Sequence, residues 1–388
     1  MALGIYIHIP YCIQRCSYCD FATYEQSKIM KPEQYVNLLF KEIHSRHQFF
    51  KPQALDTIYF GGGTPSLLPA DLIVSIIKEL GRYGFTTRPD TEITIEINPA
   101  TVDPKKLDIY QAAGINRFSV GAQTFDDKLL KMVRREHSAQ QTLETLELLR
   151  SRNLNFSFDI LFALPGQTLE GLKKDVAIAI EQGAKHISPY CLTVPDGHPL
   201  SKGRAVDDEQ VEMFEVIASE LTNKGFHQYE ISNFSLPGYE SRHNLLYWTD
   251  RPYWGIGLSA HSYSPEYNWG ARFWNINSIN EYEKQVLAHD GQVLSLEKLP
   301  SDQVEFLEKH QTLTDFCHTS LRLMKGLSVP DLRLKFDNEI VEKIEALARP
   351  LEEKGLLEKT NEHWRLTAQG IVLSNKVFEV FTFLEEDL

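Results

Sequence analysis

The alternation of short apolar runs with amphipathic stretches predicts an α/β fold built on a parallel sheet. Three observations carry this. Six strand-like runs are separated by stretches of helical length, the pattern of βαβ units. Helix edges are punctuated, with Asp103-Pro104 at a start and Gly114 or Gly183 just past an end. Isolated polar residues stand near the ends of successive strands, where parallel α/β folds place their sites.

The strands are expected at residues 5–9, 57–60, 92–97, 117–120, 156–161 and 186–192, and the helices between them at 32–47, 69–81, 104–113, 139–152 and 169–182. Crossovers of this kind are right-handed. Periodicity alone does not decide between a curled and an open sheet. Residues 194–203 form a Pro- and Gly-containing loop, and 207–224 read as an amphipathic helix whose acidic first turn suits its dipole. Residues 229–263 and 267–274 are rich in aromatic rings, which serve either a core or a flat apolar pocket. Helices are expected at 301–325 and 337–354, followed by a hairpin at 355–359 and 363–366. Helix followed by hairpin resembles a winged-helix module. Acidic blocks at Glu352-Glu353 and Glu385-Glu386-Asp387 favour docking or capping over nucleic-acid binding. The division expected is a site-bearing core at 1–230, an aromatic connecting segment at 231–295 and a C-terminal helical domain at 296–388.

The 388 residues are 42% hydrophobic and 24% charged, as in ordinary globular proteins, with a net charge of −13. That balance argues against nucleic acid as the main partner. The start of the chain has neither the basic nor the apolar region of a signal peptide. Its apolar runs are far shorter than the roughly 20 residues of a membrane span. The expected compartment is the cytoplasm, where thiols stay reduced; peripheral membrane contact stays open. Of the five cysteines, Cys317 reads as a small core hydrophobe, and Cys191 ends the sixth strand.

Cys12, Cys16 and Cys19 follow the first strand in the spacing C-x3-C-x2-C. Three thiolates can hold three irons of a cubane cluster and leave the fourth open. A structural zinc site wants four closed ligands, and the nearest fourth, His8, lies in the strand itself. The triplet resembles the motif of the radical S-adenosylmethionine (SAM) superfamily, in which SAM chelates the open iron through its amino and carboxylate groups. Later strand ends add Gly62, Gly63 and Thr64, then Glu96, Gln123 and Asp159. Taken singly, each has a plain structural alternative: a flexible turn, an exposed strand edge, a cap. Together after a Cys triplet they read as one cavity. Glycine lets backbone approach a ligand closely, an Arg can clamp a carboxylate, and Tyr18 is placed to pack against an adenine.

The residues 6–12, 60–66, 96–99, 116–123, 159 and 164–168 together resemble the oxygen-independent coproporphyrinogen III oxidase family of radical SAM proteins, over nearly the whole chain. The resemblance implies a partial (β/α)6 barrel with a C-terminal, mainly helical, winged-helix-like domain. It implies that Cys12, Cys16 and Cys19 bind a [4Fe–4S] cluster and that Tyr6, Tyr18, Gly62, Gly63, Thr64, Glu96, Gln123, Arg135 and Asp159 contact SAM. Two departures matter. The oxidases have a longer extension before the cluster, and a fourth Cys where this chain has Phe21. With residues 243–248, these departures resemble a heme-chaperone branch of the family. The resemblance implies a protein that binds heme beside the SAM-ligated cluster and hands it to an acceptor protein, with an electron donor as a further partner. The alternative is oxidative decarboxylation of coproporphyrinogen III to protoporphyrinogen IX; whether SAM is turned over stays open. Among residues suited to an axial heme ligand, His243 is the first candidate and His261 the second, each against the plain reading of a buried, hydrogen-bonded histidine.

Overall fold

The computed structural model describes residues 3–388. Its centre is six parallel strands, neighbours in chain order: β1 (Gly4–Ile9), β2 (Thr57–Gly62), β3 (Glu92–Ile97), β4 (Arg117–Gln123), β5 (Asn155–Phe162) and β6 (His186–Cys191). Between them run α1 (Pro32–Arg46), α2 (Ala70–Arg82), α3 (Pro104–Ala112), α4 (Asp127–Met132), α5 (Ala139–Ser151) and α6 (Leu169–Glu181). The helix starts follow from their caps. The Asp103 carboxylate accepts from the Lys106 N–H at 2.7 Å to open α3, and the Thr168 hydroxyl accepts from Gly171 at 3.1 Å to open α6.

The strands alternate in polarity. Ile5, Ile7 and Ile9 of β1 and Ile93, Ile95 and Ile97 of β3 enter the main core with Phe118, Phe156 and Phe158. The opposite set turns inward in register: Glu96 beside Ser119, Ser119 beside Ser157, Ser157 beside His186, and Asp159 beside Ser188. Helices cover the apolar face, and the polar face lines an interior space.

The sheet is larger than the six strands the sequence suggests. After α7 (Asp207–Asn223), β7 (His227–Glu230) and β8 (Asn233–Ser235) add antiparallel strands beyond β6. After α8 (Arg242–Trp248), β9 (Tyr253–Ile256) pairs parallel to β1. The strands β10 (His261–Ser264), β11 (Ala271–Trp274) and β12 (Val304–Phe306) then complete an open twelve-stranded sheet, with α9 (Ile279–Ala288) crossing between β11 and β12. Residues 231–295 are thus woven into the main sheet rather than forming a connecting segment. The helix expected at 301–325 begins only at Lys309, because residues 304–306 pair with 271–273. A buried network holds this extension down. Glu42 of α1 accepts from Arg46 at 3.1 Å, from the Asn275 amide and Tyr282 hydroxyl at 2.6 Å, and from the Gly257 N–H at 2.9 Å.

The C-terminal part has its own core. It comprises α10 (Lys309–Arg322), β13 (Leu327–Ser328), α11 (Val329–Lys335), α12 (Asn338–Glu353), β14 (Leu357–Lys359), β15 (His363–Leu366), α13 (Ala368–Val372) and α14 (Ser374–Val380). Helices α10, α11 and α12 with a small sheet ordered β13-β15-β14 match the winged-helix expectation. Among the described residues, no helix is long and apolar enough to cross a membrane.

Candidate functional site

The cysteine loop is an excursion closed at its base. Beyond β1, residues 11–12 pair with 24–25, and the Tyr24 N–H donates to the Pro10 carbonyl at 2.7 Å. His8 ties the loop back to the barrel: its Nε2 lies 2.9 Å from the Ala22 carbonyl, and Nδ1 lies 3.1 Å from the Tyr6 hydroxyl. With both nitrogens engaged, and burial lowering its pKa to about 4, His8 serves the loop and not a metal. The Ser17 N–H donates to the Val133 carbonyl at 3.2 Å, and His198 Nε2 reaches the Ser17 carbonyl at 3.0 Å.

All three thiols are half-buried and unpaired, and all line one cavity of about 400 Å³ at the carboxyl ends of the strands. Burial and the neighbouring Cys19 push the Cys12 thiol up to about 11, so bound iron must supply the drive to the thiolate. Among the described residues, no three His, Cys, Asp or Glu side chains stand close enough to share one metal ion. In the motif that the trio matches, each thiol would bind its own iron of a cluster rather than share one ion.

The turn after β2 makes room for that cluster. A Cβ at Gly63 would lie 2.5 Å from the Tyr11 carbonyl oxygen and 3.0 Å from Cys12 Sγ, and Gly62 has φ +112°, a conformation open to glycine. Glu96 closes the turn from β3. Its carboxylate accepts from the Tyr59 hydroxyl at 2.9 Å and the Gly62 N–H at 3.0 Å. Burial pushes its pKa up to about 7 against those two donors. Asp159, from the middle of β5, is pushed up to about 6 by burial, with Ser188 and the Arg117 charge opposing. Gln123 sits where the pairing of β4 with β5 slips, at φ +72°. Such irregularities re-aim side chains at strand ends.

Arg135 faces the cluster loop. Its guanidinium donates to Asn98 Oδ1 at 2.7 Å, to Cys16 Sγ at 3.5 Å and to the Gly121 carbonyl. Nε is buried with no partner among the described residues, which leaves a donor for a ligand anion. His137 supports it from behind, with Nδ1 2.9 Å from the same Asn98 oxygen.

Tyr18, Gly62, Gly63, Thr64, Glu96, Gln123, Arg135 and Asp159 therefore line one cavity with the three cysteines. The donor set fits a cluster-bound SAM: sulfur ligands at one wall, a cation for a carboxylate, and two carboxyl groups for an ammonium and ribose hydroxyls. Tyr6 stands just outside the lining, stacked on Tyr59 with ring centres 6.1 Å apart.

His243 falls elsewhere and corrects its assignment as heme ligand. It lies by the amino ends of β1 and β2, 1% exposed, where Nδ1 meets the Thr57 hydroxyl at 2.6 Å and Nε2 the Tyr247 hydroxyl at 2.9 Å. Its N–H donates to Glu92 at 3.0 Å, and burial lowers its pKa to about 3. As placed, it offers no lone pair to iron. His261 is exposed at the start of β10, its ring stacked on Trp274 at 5.8 Å. Exposed Ile13 and Phe21, which line the cavity, offer apolar surface of the kind a heme face needs.

The expected site residues do not include Arg117, Ser119, Ser157, His186 and Ser188, although the same strands carry them into the cavity. Their signal was present. Parallel strands covered on both faces read as nearly continuous apolar runs, and these strands instead place a polar residue at every second position.

Comparison with known proteins agrees with this geometry. Residues 6–178 match the family described as the Radical SAM superfamily, and residues 307–373 match the HemN C-terminal domain. The chain is 33% identical to "Heme chaperone HemW" of Bacillus subtilis, covering 97% of this chain and 98% of that protein. It is 34% identical to the protein of that name from Synechocystis, over 100% and 98% of the two chains. The coproporphyrinogen III oxidase HemN of Escherichia coli, a radical SAM enzyme, superposes with a TM-score of 0.83 over 98% of this chain and 90% of that one, at 22% identity, and so shares the fold. With its cysteine loop, glycine turn and Arg135 in one cavity, and near-complete coverage by these relatives, the chain belongs to the HemW family of radical SAM proteins.

Proposed function

We propose that this protein is a heme chaperone: it carries a [4Fe–4S] cluster on Cys12, Cys16 and Cys19 with SAM on the open iron, binds heme, and passes it to an acceptor protein. The observation that carries this reading is identity of 33% to a curated heme chaperone across almost the full length of both chains. The intact cavity supports the cofactor half of the proposal.

A cluster with an open iron supplies one-electron chemistry to a bound sulfonium. The chain's own contribution is positional. Arg135 holds a cation against Cys16 and the open side of the loop. The glycine turn brings backbone against the cluster wall. Glu96 and Asp159 supply acceptors that desolvation keeps close to neutral pH in their titration. For heme, His261 is the histidine presented at the surface, and Ile13 and Phe21 provide apolar contact at the cavity mouth.

The test is direct. Anaerobically reconstituted protein titrated with heme should give a saturable Soret-absorbing complex of one heme per chain. Supplied with reductant, SAM and coproporphyrinogen III, it should form no protoporphyrinogen IX. Failure to bind heme, or sustained product formation, overturns the reading. His261→Ala should shift the heme spectrum, whereas His243→Ala should cost stability and leave the spectrum of the folded fraction in place. The reverse pattern would put the heme at α8.

A further inference from the structure

The inner end of the cavity, below Glu96 and Asp159, holds a buried cation that the SAM site does not use. Arg117 is the first residue of β4 and is 3% exposed, yet it lines the cavity. Among the described residues its guanidinium has no hydrogen-bond partner and no carboxylate at ion-pair distance, and its Nε is a buried orphan. His186, 1% exposed, lines the same end. The Tyr229 hydroxyl receives the Ser241 N–H at 3.4 Å and lies 2.8 Å from His186 Nε2, so its own proton is satisfied when given to that nitrogen. The proton of the neutral imidazole then sits on Nδ1, which is likewise a buried orphan. Thr94 Oγ1 and Asn155 Oδ1, the register neighbours of Arg117, are buried without partners too. Ser119 and Ser157 stand one row above.

We infer that this floor is a binding site for a small monocarboxylate, held by Arg117 and His186. Buried polar atoms without partners cluster where a water or an ion belongs. Water would satisfy the hydrogen bonds, but Asp159 feels the Arg117 charge without forming an ion pair with it, so the guanidinium would keep no contacting counter-charge in a desolvated setting, which is costly. A planar carboxylate matches the guanidinium fork and can accept from the imidazole N–H as well. Two carboxyl groups, Glu96 and Asp159, line the same cavity, so a dianion such as phosphate is opposed. A single negative charge is what the one guanidinium balances.

The test uses formate as probe and gluconate, too bulky to enter, as matched control. The cluster-loaded full chain, kept anaerobic, should melt about 2–4 °C higher in formate than in equal gluconate, with saturation. Arg117→Met should abolish that difference and should itself melt above the formate-free wild type, because it removes an unpaired buried charge. No difference between the two salts for the wild type overturns the proposal, as does an undiminished formate response in Arg117→Met. Should Arg117→Met fail to fold, His186→Phe provides the second variant: it should weaken the formate response at least threefold, and an unchanged midpoint contradicts the assignment.

Discussion

At the scale of single residues, the two cavity carboxyls set a pH dependence with a definite sign. Glu96 and Asp159 titrate near 7 and 6, raised from ordinary values of 4.5 and 3.8 by burial. A carboxyl whose pKa is raised by folding favours the fold while protonated. That contribution is complete below its unfolded value and is lost as pH rises through its folded value. Cluster-free protein should therefore lose stability between about pH 4 and 7, and Glu96→Gln should remove part of the loss. At pH 7.5 the variant should be more stable by on the order of 1–3 kcal/mol, as measured by urea denaturation; equal pH profiles in the two proteins would contradict the burial argument. His243 makes a different prediction. Its two ring hydrogen bonds and complete burial mean that His243→Ala should cost about 2–4 kcal/mol in the same measurement. The sequence displayed the chemistry of that histidine but not its depth. Whether α8 turns His243 inward depends on Glu92, 151 residues away in the chain, accepting its N–H.

At the scale of elements, the six central strands were legible because each carries an apolar set that must be buried. The bounds shift by no more than three residues at either end. The later strands were not, because those within 227–235 and 253–274 are short and aromatic, and only pairing with their neighbours, β8 on β6 and β9 on β1, makes them strands. Residues 304–306 illustrate the same rule, since a segment that reads as the start of a helix is drawn into the sheet by β11. The site survived these misreadings because it sits on the legible strands. Its tightest element is the turn after β2. In Gly63→Ala the new methyl meets the Tyr11 backbone, which cannot yield without moving the cysteine loop. The variant should fold but incorporate at least tenfold less iron on reconstitution, while Gly81→Ala, where nothing lies within 4 Å, should load normally. Iron and sulfide analysis beside circular dichroism checks both; normal loading of Gly63→Ala would contradict the close fit.

At the scale of the whole molecule, the C-terminal domain is bound to the barrel through a polar and aromatic seam. Arg322 of α10 pairs with the buried Glu230 of β7 at 3.5 Å and lies over the Trp248 ring of α8 at 4.5 Å. Trp269 stacks on Phe336 at 5.7 Å, and Lys335 pairs with Asp250. Removing one partner of a largely buried pair leaves the other uncompensated. Arg322→Ala should destabilise the protein by about 1–3 kcal/mol and split a single calorimetric transition into two as the domains unlock. Arg322→Ala with Glu230→Gln should recover part of the loss. Additive losses in the double variant would show that the pair is not coupled. This seam joins α8, with His243 inside the barrel, to the domain beyond it, which is how a segment without strong periodicity acquires a fixed place.

The cofactor chemistry proposed for this protein depends on three thiols leaving one iron of a cluster free for SAM beside Arg135. The most direct measurement is electron paramagnetic resonance of the reduced, reconstituted protein with and without SAM. The structure predicts that SAM alters the g-values of the cluster, and that Arg135→Ala weakens this response while the SAM-free signal persists. A spectrum that stays the same at saturating SAM, from protein with full iron content, would contradict the account.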